Sequence, residues 1–331
     1  MKENHPKIKF GKTGVLLINL GTPDSTNWFD IRKYLKEFLS DRRVIEVNPI
    51  IWQIILNIFI LTFRPSKTAK AYKEIWMKDL NKSPLRFYTE MQTEKLKEKI
   101  ENEDLVVDFA MRYGNPSIKS KIQNMQNQGC ENLIIFPLYP QYASPTTATV
   151  CDEVFRVLMN MRWQPAIKIV PHYESEPLYI EALVNSINKK LNEIDWKPDL
   201  IVASYHGIPK NYFEKGDPYH CYCHKTTRLI SEKFDKIEII TTFQSRFGPQ
   251  EWLQPYTDKT LEKLPKDGVN KILVISPGFA SDCVETLEEI SIQGKESFEK
   301  SGGEKFGFIP CLNDNDDHIK LLEHLVRKNI I

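Results

Sequence analysis

Charge of one sign is almost absent in excess: 45 Lys and Arg stand against 44 Asp and Glu, a formal net charge of +1. Phosphate neutralisation needs a concentrated basic surplus, so this balance argues against an extended nucleic-acid surface. Cysteine is scarce as well. Six are scattered through 331 residues, only Cys221 and Cys223 lie close together, and nothing has the spacing of a secreted disulfide framework. No apolar run reaches the roughly 20 residues that a membrane-spanning helix needs. The start, Met1-Lys2-Glu3-Asn4-His5-Pro6-Lys7, is charged and has no apolar centre of signal-peptide type. These absences give the expectation of a cytoplasmic protein. The length favours two domains, and a chain this size buries roughly three quarters of its unfolded surface without staples.

The segment closest to a long apolar run is Ile50–Leu61, which follows Pro49 and contains Gln53 and Asn57. Its pattern allows two readings: a core helix, or an exposed lip that meets an apolar ligand or a membrane surface. Arg42, Arg43, Arg64, Lys67 and Lys70 flank it and would suit anionic headgroups or ligand carboxylates.

What the chain has in abundance is a repeated grammar. Strand-like Val15–Leu20 ends in Gly21-Thr22-Pro23, and Ile201–His206 ends in Gly207-Ile208-Pro209. Leu105–Met111 leads to Arg112-Tyr113-Gly114, and Ile237–Gln244 to Arg246-Phe247-Gly248-Pro249. Leu133–Phe136 and Ile272–Ser276 both run into Pro, and so do Ile167–Val170 and Phe306–Ile309. The last three pairs keep nearly the same separation. The first is wider because the earlier half carries an insertion containing the apolar lip. Helix-like stretches separate the strands: 89–101, 117–128, 147–160, 177–192, 225–234, 257–264 and 285–300. Strand alternating with helix predicts a parallel sheet covered on both faces, and two such units predict a bilobed α/β protein with a cleft. Gly and Pro punctuate turns everywhere, but four correspondences in the same order are hard to obtain by chance.

The halves differ where it matters. An apolar strand ends at His206, where open α/β sheets place their ligands, while the matching slot in the first half is Leu20. Tyr139-Pro140-Gln141-Tyr142 stands where the second half has Phe279-Ala280-Ser281-Asp282. Helical spacing predicts that Asp282, Glu285 and Glu289 share one face, with Glu288 turned elsewhere. The plain reading of those acids is a helix start, with Asp as N-cap and Glu three residues later. The functional reading pairs them with His206. Imidazole plus carboxylate suits a borderline divalent metal, and the same groups can relay protons.

At these residues the chain resembles the ferrochelatases, which insert ferrous iron into protoporphyrin IX. The resemblance rests on Asn19-Leu20-Gly21-Thr22-Pro23, Tyr139-Pro140-Gln141-Tyr142, and Ser204-Tyr205-His206-Gly207-Ile208-Pro209 with Lys215-Gly216-Asp217-Pro218-Tyr219. Gln244-Ser245-Arg246-Phe247-Gly248-Pro249 and Ser281-Asp282-Cys283-Val284-Glu285-Thr286-Leu287 complete it, in the family's order over nearly the whole chain. It implies two similar Rossmann-like domains, each with a four-stranded parallel sheet flanked by helices, related by a pseudo-twofold. The first would comprise residues 1–172 with 314–331 and carry the lip at about 48–63, and the second residues 173–313. It implies His206 and Glu285 as the iron-coordinating pair, His206 also accepting pyrrole protons, with Glu289 next along the proton or metal path. Leu20, Arg64, Tyr72, Arg112, Tyr113, Tyr139 and Phe279 would line the macrocycle or its entry.

Fe²⁺ is then a substrate, and no permanently bound cofactor is expected. Some relatives hold a [2Fe–2S] cluster through an internal Cys and C-terminal ones; here the internal position is Ser144 and no Cys follows Cys311, so such a cluster is expected to be absent. Cys283 stands where some relatives have His. A monomer is expected, with possible peripheral membrane contact through the 50–61 lip. His220-Cys221-Tyr222-Cys223-His224 gathers soft ligands, yet adjacent residues point apart and a zinc site usually wants a second pair elsewhere. His172, His318 and His324 read as surface or packing residues, and Cys130, Cys151 and Cys311 as small core hydrophobes. Competing functions are metallation of coproporphyrin III, and a bilobed tetrapyrrole or metal carrier without catalysis.

Overall fold

The computed structural model describes residues 11–330; the charged start Met1–Lys7 lies outside the described residues. Among the described residues, eight strands form two separate sheets. β1 (Lys12–Thr22), β2 (Leu105–Gly114), β3 (Cys130–Pro137) and β4 (Ala166–Ile169) assemble in the order β2-β1-β3-β4. β5 (Leu200–His206), β6 (Glu238–Gln244), β7 (Lys271–Ile275) and β8 (Lys305–Ile309) assemble as β6-β5-β7-β8. Every pairing is parallel, so the expected α/β architecture with two like sheets is borne out. The runs Val15–Ile18 and Leu200–Tyr205 are buried, as apolar β-branched strands covered on both faces must be. The repeat extends further than the strands: a π-helical turn follows β3 at Ser144–Ala148, and another follows β7 at Val284–Gly294.

In each sheet the strand order reverses at the first strand, β1 or β5. Such a switch point opens a crevice beyond the carboxyl ends of the two neighbouring strands, which is where open α/β sheets bind ligands. His206 ends β5 and the acidic segment follows β7, so both flank one switch point. Leu20 near the end of β1 and Tyr139 after β3 flank the other. β1 can lie this close to β2 at its end only because residue 21 is Gly: φ is +115°, and a Cβ there would sit 1.8 Å from the carbonyl oxygen of Tyr113.

Polar ties join the two units. The buried Gln92 amide lies 3.1 Å from the carbonyl of Ala280, 2.9 Å from Ser281 Oγ and 2.9 Å from the carbonyl of Asn313. Gln141 donates to Thr226 Oγ1 at 2.9 Å, and Tyr212 donates to the carbonyl of Val44 at 3.1 Å. The last helix, Asp316–Asn329, packs against both Pro84–Ile100 and Pro177–Glu193. His318 in it is buried, with Nδ1 2.6 Å from the carbonyl of Asn313, a packing residue as its sequence context suggests.

Several expectations need correction. Trp28–Leu39 is a helix that the strand-and-helix reading passed over, capped by the Asn27 side chain on the backbone N–H of Asp30. The helix expected from residue 89 starts at Pro84, behind the Ser83 cap. The one expected from residue 225 starts at Tyr219, so the His–Cys cluster lies on it. Cys151 is only half-buried, while Cys130 and Cys311 are in the core. The apolar lip is not a short element: it opens a continuous helix, Pro49–Ile75, of 27 residues with a π-helical turn at Leu56–Ile60. That helix is long and apolar enough to cross a membrane by length and composition, and only 22% of its most apolar window is buried.

Candidate active site

The site grows from strand ends. His206 pairs in register with Gln244 across β5 and β6. Its Nδ1 lies 2.6 Å from the carbonyl oxygen of Gly207. A carbonyl can only accept, so Nδ1 carries the hydrogen and Nε2 of the neutral ring keeps its lone pair for a metal or a proton. The Trp252 ring centroid lies 6.5 Å from the imidazole.

After β7 the chain winds as a π-helix, and this changes which acids share a face. With i→i+5 bonding more than four residues fill a turn, which keeps Glu285 and Glu289 on one side. Asp282 drops out of the row. It precedes the helix and is buried, accepting from Thr286 Oγ1, Asn313 Nδ2 and the backbone N–H of Cys311. It clamps the loop after β8 to the start of the helix. The N-cap is Cys283 rather than Asp282, and its reciprocal partner is Thr286.

Glu289 accepts from the backbone N–H of Ser245 at 2.8 Å and from Ser245 Oγ at 2.5 Å. Burial holds its pKa above the usual carboxylate range, and the nearby Glu285 carboxylate adds to this, against the pull of Ser245 and His206. His206 and Glu285 therefore both act electrostatically on Glu289. The Glu285 carboxylate also faces across to the first unit. Burial raises the Tyr34, Tyr72 and Tyr139 hydroxyl pKa values, and the Glu285 charge contributes to each rise. Second-unit acid and first-unit tyrosines thus meet in one place.

The first-unit side is apolar and aromatic. Leu20, Trp52, Ile60 and Val284 pack around a cluster containing Tyr34, Tyr72 and Tyr113. Tyr139 has a buried hydroxyl with no hydrogen-bond partner, and Phe279 is half-buried. The Pro49–Ile75 helix packs on Trp28–Leu39 and on Val284–Gly294, burying Leu56, Leu61, Pro65, Ala69 and Tyr72. Its other face is bare: Ile50 is 76% exposed, Phe63 72% and Phe59 58%. Arg64 lies on this helix with its guanidinium 4.5 Å from the Phe247 ring centroid. It makes no ion pair among the described residues, and burial lowers its pKa.

Two residues expected to line the macrocycle are held by contacts within the first unit. Tyr113 is completely buried, with its hydroxyl donating to Asp41 at 2.9 Å. Arg112 pairs with the same Asp41 carboxylate, stacks over Tyr113 at 4.4 Å, and donates to Thr149. Thr149 Oγ1 also donates to Asp41. Asp41 gathers these donors because a buried guanidinium needs a counter-charge. Of the flanking cations, Arg43 is held by Asp152. Sequence reasoning did not give site roles to Asp41, Tyr34, Gln244 or Ser245; their presence in quoted motifs was a weak signal for the last two.

The fold is a bilobed α/β arrangement of two like parallel sheets, shared with solved chelatases. SirB from Bacillus subtilis, solved with Fe³⁺, superposes with a TM-score of 0.57 over 96% of this chain and 95% of its own, at 13% identity. CbiX, described as the terminal enzyme for biosynthesis of sirohaem in denitrifying bacteria, gives 0.51 over 96% of this chain and all of its own, at 10% identity. At such identities the likeness concerns the fold alone. The sequence is more specific: the Ferrochelatase family model matches residues 12–330. Proteins named ferrochelatase are 57% identical in Allorhizobium ampelinum (100% of this chain, 97% of that one) and 51% identical in Francisella tularensis subsp. novicida (97% of each). The chain belongs to the ferrochelatase family.

Proposed function

We propose that this protein inserts Fe²⁺ into protoporphyrin IX, releasing two protons and forming protohaem. The reading rests on the site itself: an imidazole with a free Nε2 and two carboxylates from one unit, turned toward an apolar, tyrosine-lined wall of the other. We assign His206 and Glu285 as the residues that take iron from water. Two protein ligands leave the other positions of the ion to solvent and the macrocycle nitrogens. A site holding the ion by few ligands can release it into the ring. As iron enters, the two pyrrole protons leave, one to Glu289 and one to His206 once the metal has moved on. Burial of Glu289 raises its proton affinity and suits it to that role.

Binding of the macrocycle follows from apolar area. Each 100 Å² removed from water is worth about 2.5 kcal/mol, and Leu20, Tyr139, Phe279 and the bare lip supply such surface. Part of that energy holds the ring bent, which exposes nitrogen lone pairs hidden in a flat porphyrin. Arg64, desolvated and without an anion partner among the described residues, receives a macrocycle carboxylate.

The division into residues 1–172 with 314–331 and residues 173–313 belongs to the same reading. So do a cytoplasmic monomer whose 50–61 lip rests on a membrane surface, and the lack of a [2Fe–2S] cluster, one of whose ligand positions is Ser144 here. The test is anaerobic absorbance with protein, excess Fe²⁺ and either protoporphyrin IX or coproporphyrin III. Many equivalents of protohaem per chain, formed faster than coprohaem, are expected. One equivalent at most would make the protein a carrier, and faster coproporphyrin turnover would reverse the substrate assignment.

A further inference from the structure

The cluster His220-Cys221-Tyr222-Cys223-His224 is absorbed by none of this. In the fold it is the first two turns of the helix Tyr219–Ser231, where His220 and His224 stand four apart on one face. Their ring centroids are 4.4 Å from each other with the planes at 51°. Cys223 points into the core and is fully buried. Cys221 is exposed, three residues before His224.

These two imidazoles differ from every other described histidine. His172 lies 2.6 Å from Glu174, His206 and His318 each lie 2.6 Å from a backbone carbonyl, and His324 lies 3.5 Å from Glu176. Neither His220 nor His224 has a hydrogen bond or ion pair among the described residues. Their contacts are aromatic: His220 lies 5.1 Å from Phe213 and stacks 5.8 Å from Phe243, and His224 lies 6.1 Å from Phe243. Phe243 is buried and Phe213 partly exposed, so the pair rests on an apolar floor and opens to water on one side. Partial burial lowers the proton affinity of both rings, and His220 lowers that of His224 further.

We propose that His220 and His224 form a bidentate site for a divalent transition metal ion, separate from the His206–Glu285 site. Two imidazoles at i and i+4 match the bite that borderline ions accept, with water in the remaining positions. Each ring can give one nitrogen to the ion while the other hydrogen-bonds to water.

Zinc provides the probe, with stoichiometry measured by calorimetry on the full chain. A His206→Ala/Glu285→Ala protein, lacking the substrate-metal ligands, should still bind one Zn²⁺. Adding His220→Ala and His224→Ala should remove that equivalent. In the same background His224→Gln alone, which keeps bulk and polarity, should also abolish chelate binding. The assignment is overturned if the first variant binds no zinc, or if zinc remains bound after the pair is removed.

Discussion

Gln244 donates its side-chain amide to the backbone carbonyl of Glu285 at 2.7 Å. It stands beside His206 in the sheet, and its own Oε1 accepts from Ser204 Oγ at 2.7 Å. One buried glutamine therefore links the strand that ends in the imidazole to the π-helix that carries the carboxylate. Wider winding takes backbone carbonyls out of the ordinary α-helical ladder, and the Gln244 amide gives that of Glu285 a partner.

Glu289 is ionised only above its raised pKa, so any step that requires its carboxylate fails as the pH drops through that value. Glu289→Gln should slow turnover on the order of 10²-fold and shift the acid limb of the kcat profile, because the amide cannot accept a pyrrole proton. A pH–rate profile with that limb unmoved would put the proton path elsewhere.

Asp41 offsets the charge of Arg112, and both side chains are about nine-tenths buried. Asp41→Ala leaves a buried guanidinium unpaired and should cost about 3–5 kcal/mol in denaturant unfolding. A loss within the range of an ordinary surface substitution would show that Arg112 escapes to solvent.

His318 has a pKa pushed down to about 4 by burial, against 6.5 for the free side chain. Above pH 6.5 neither the folded nor the unfolded form holds the proton, and the histidine leaves stability unchanged. Between 6.5 and 4 the unfolded chain binds the proton first, so stability falls on acidification, by about 3 kcal/mol across the window. Urea midpoints from pH 7 to 4.5 should fall more steeply for the native protein than for His318→Gln. Parallel curves would contradict the buried neutral state.

The bare lip predicts function without stability. Ile54, Phe59 and Phe63 are more than half exposed, so replacing all three by Ser should leave unfolding midpoints nearly unchanged while weakening porphyrin affinity and vesicle binding. Wild-type affinity for both would remove the lip from the account.

Much of this was legible in the sequence because strands buried on both faces have to be apolar. Leu200–Tyr205 reads as a strand from its residues alone, and His206 at its end declares a position as well as a chemistry. The acidic row was half legible. A sequence read at α-helical spacing cannot show i→i+5 winding, so Asp282 was grouped with Glu285 although it holds Asn313 and Cys311. Asp41 and Gln244 were missed for another reason: their roles come from partners more than forty residues away in sequence, which no local pattern encodes. Trp28–Leu39 sits between a strand and the lip, where the repeat offers no counterpart to point at it.

The claim on which the rest depends is that His206 and Glu285 act as one unit on the incoming metal. The most direct test is a double-mutant cycle on single-turnover metallation with His206→Ala, Glu285→Ala and both together, porphyrin affinity being followed in parallel by fluorescence. Residues that act jointly give non-additive losses, so each single variant should lose nearly as much rate as the double while porphyrin binding persists. Losses that multiply independently, or a single variant turning over at the native rate, would contradict it.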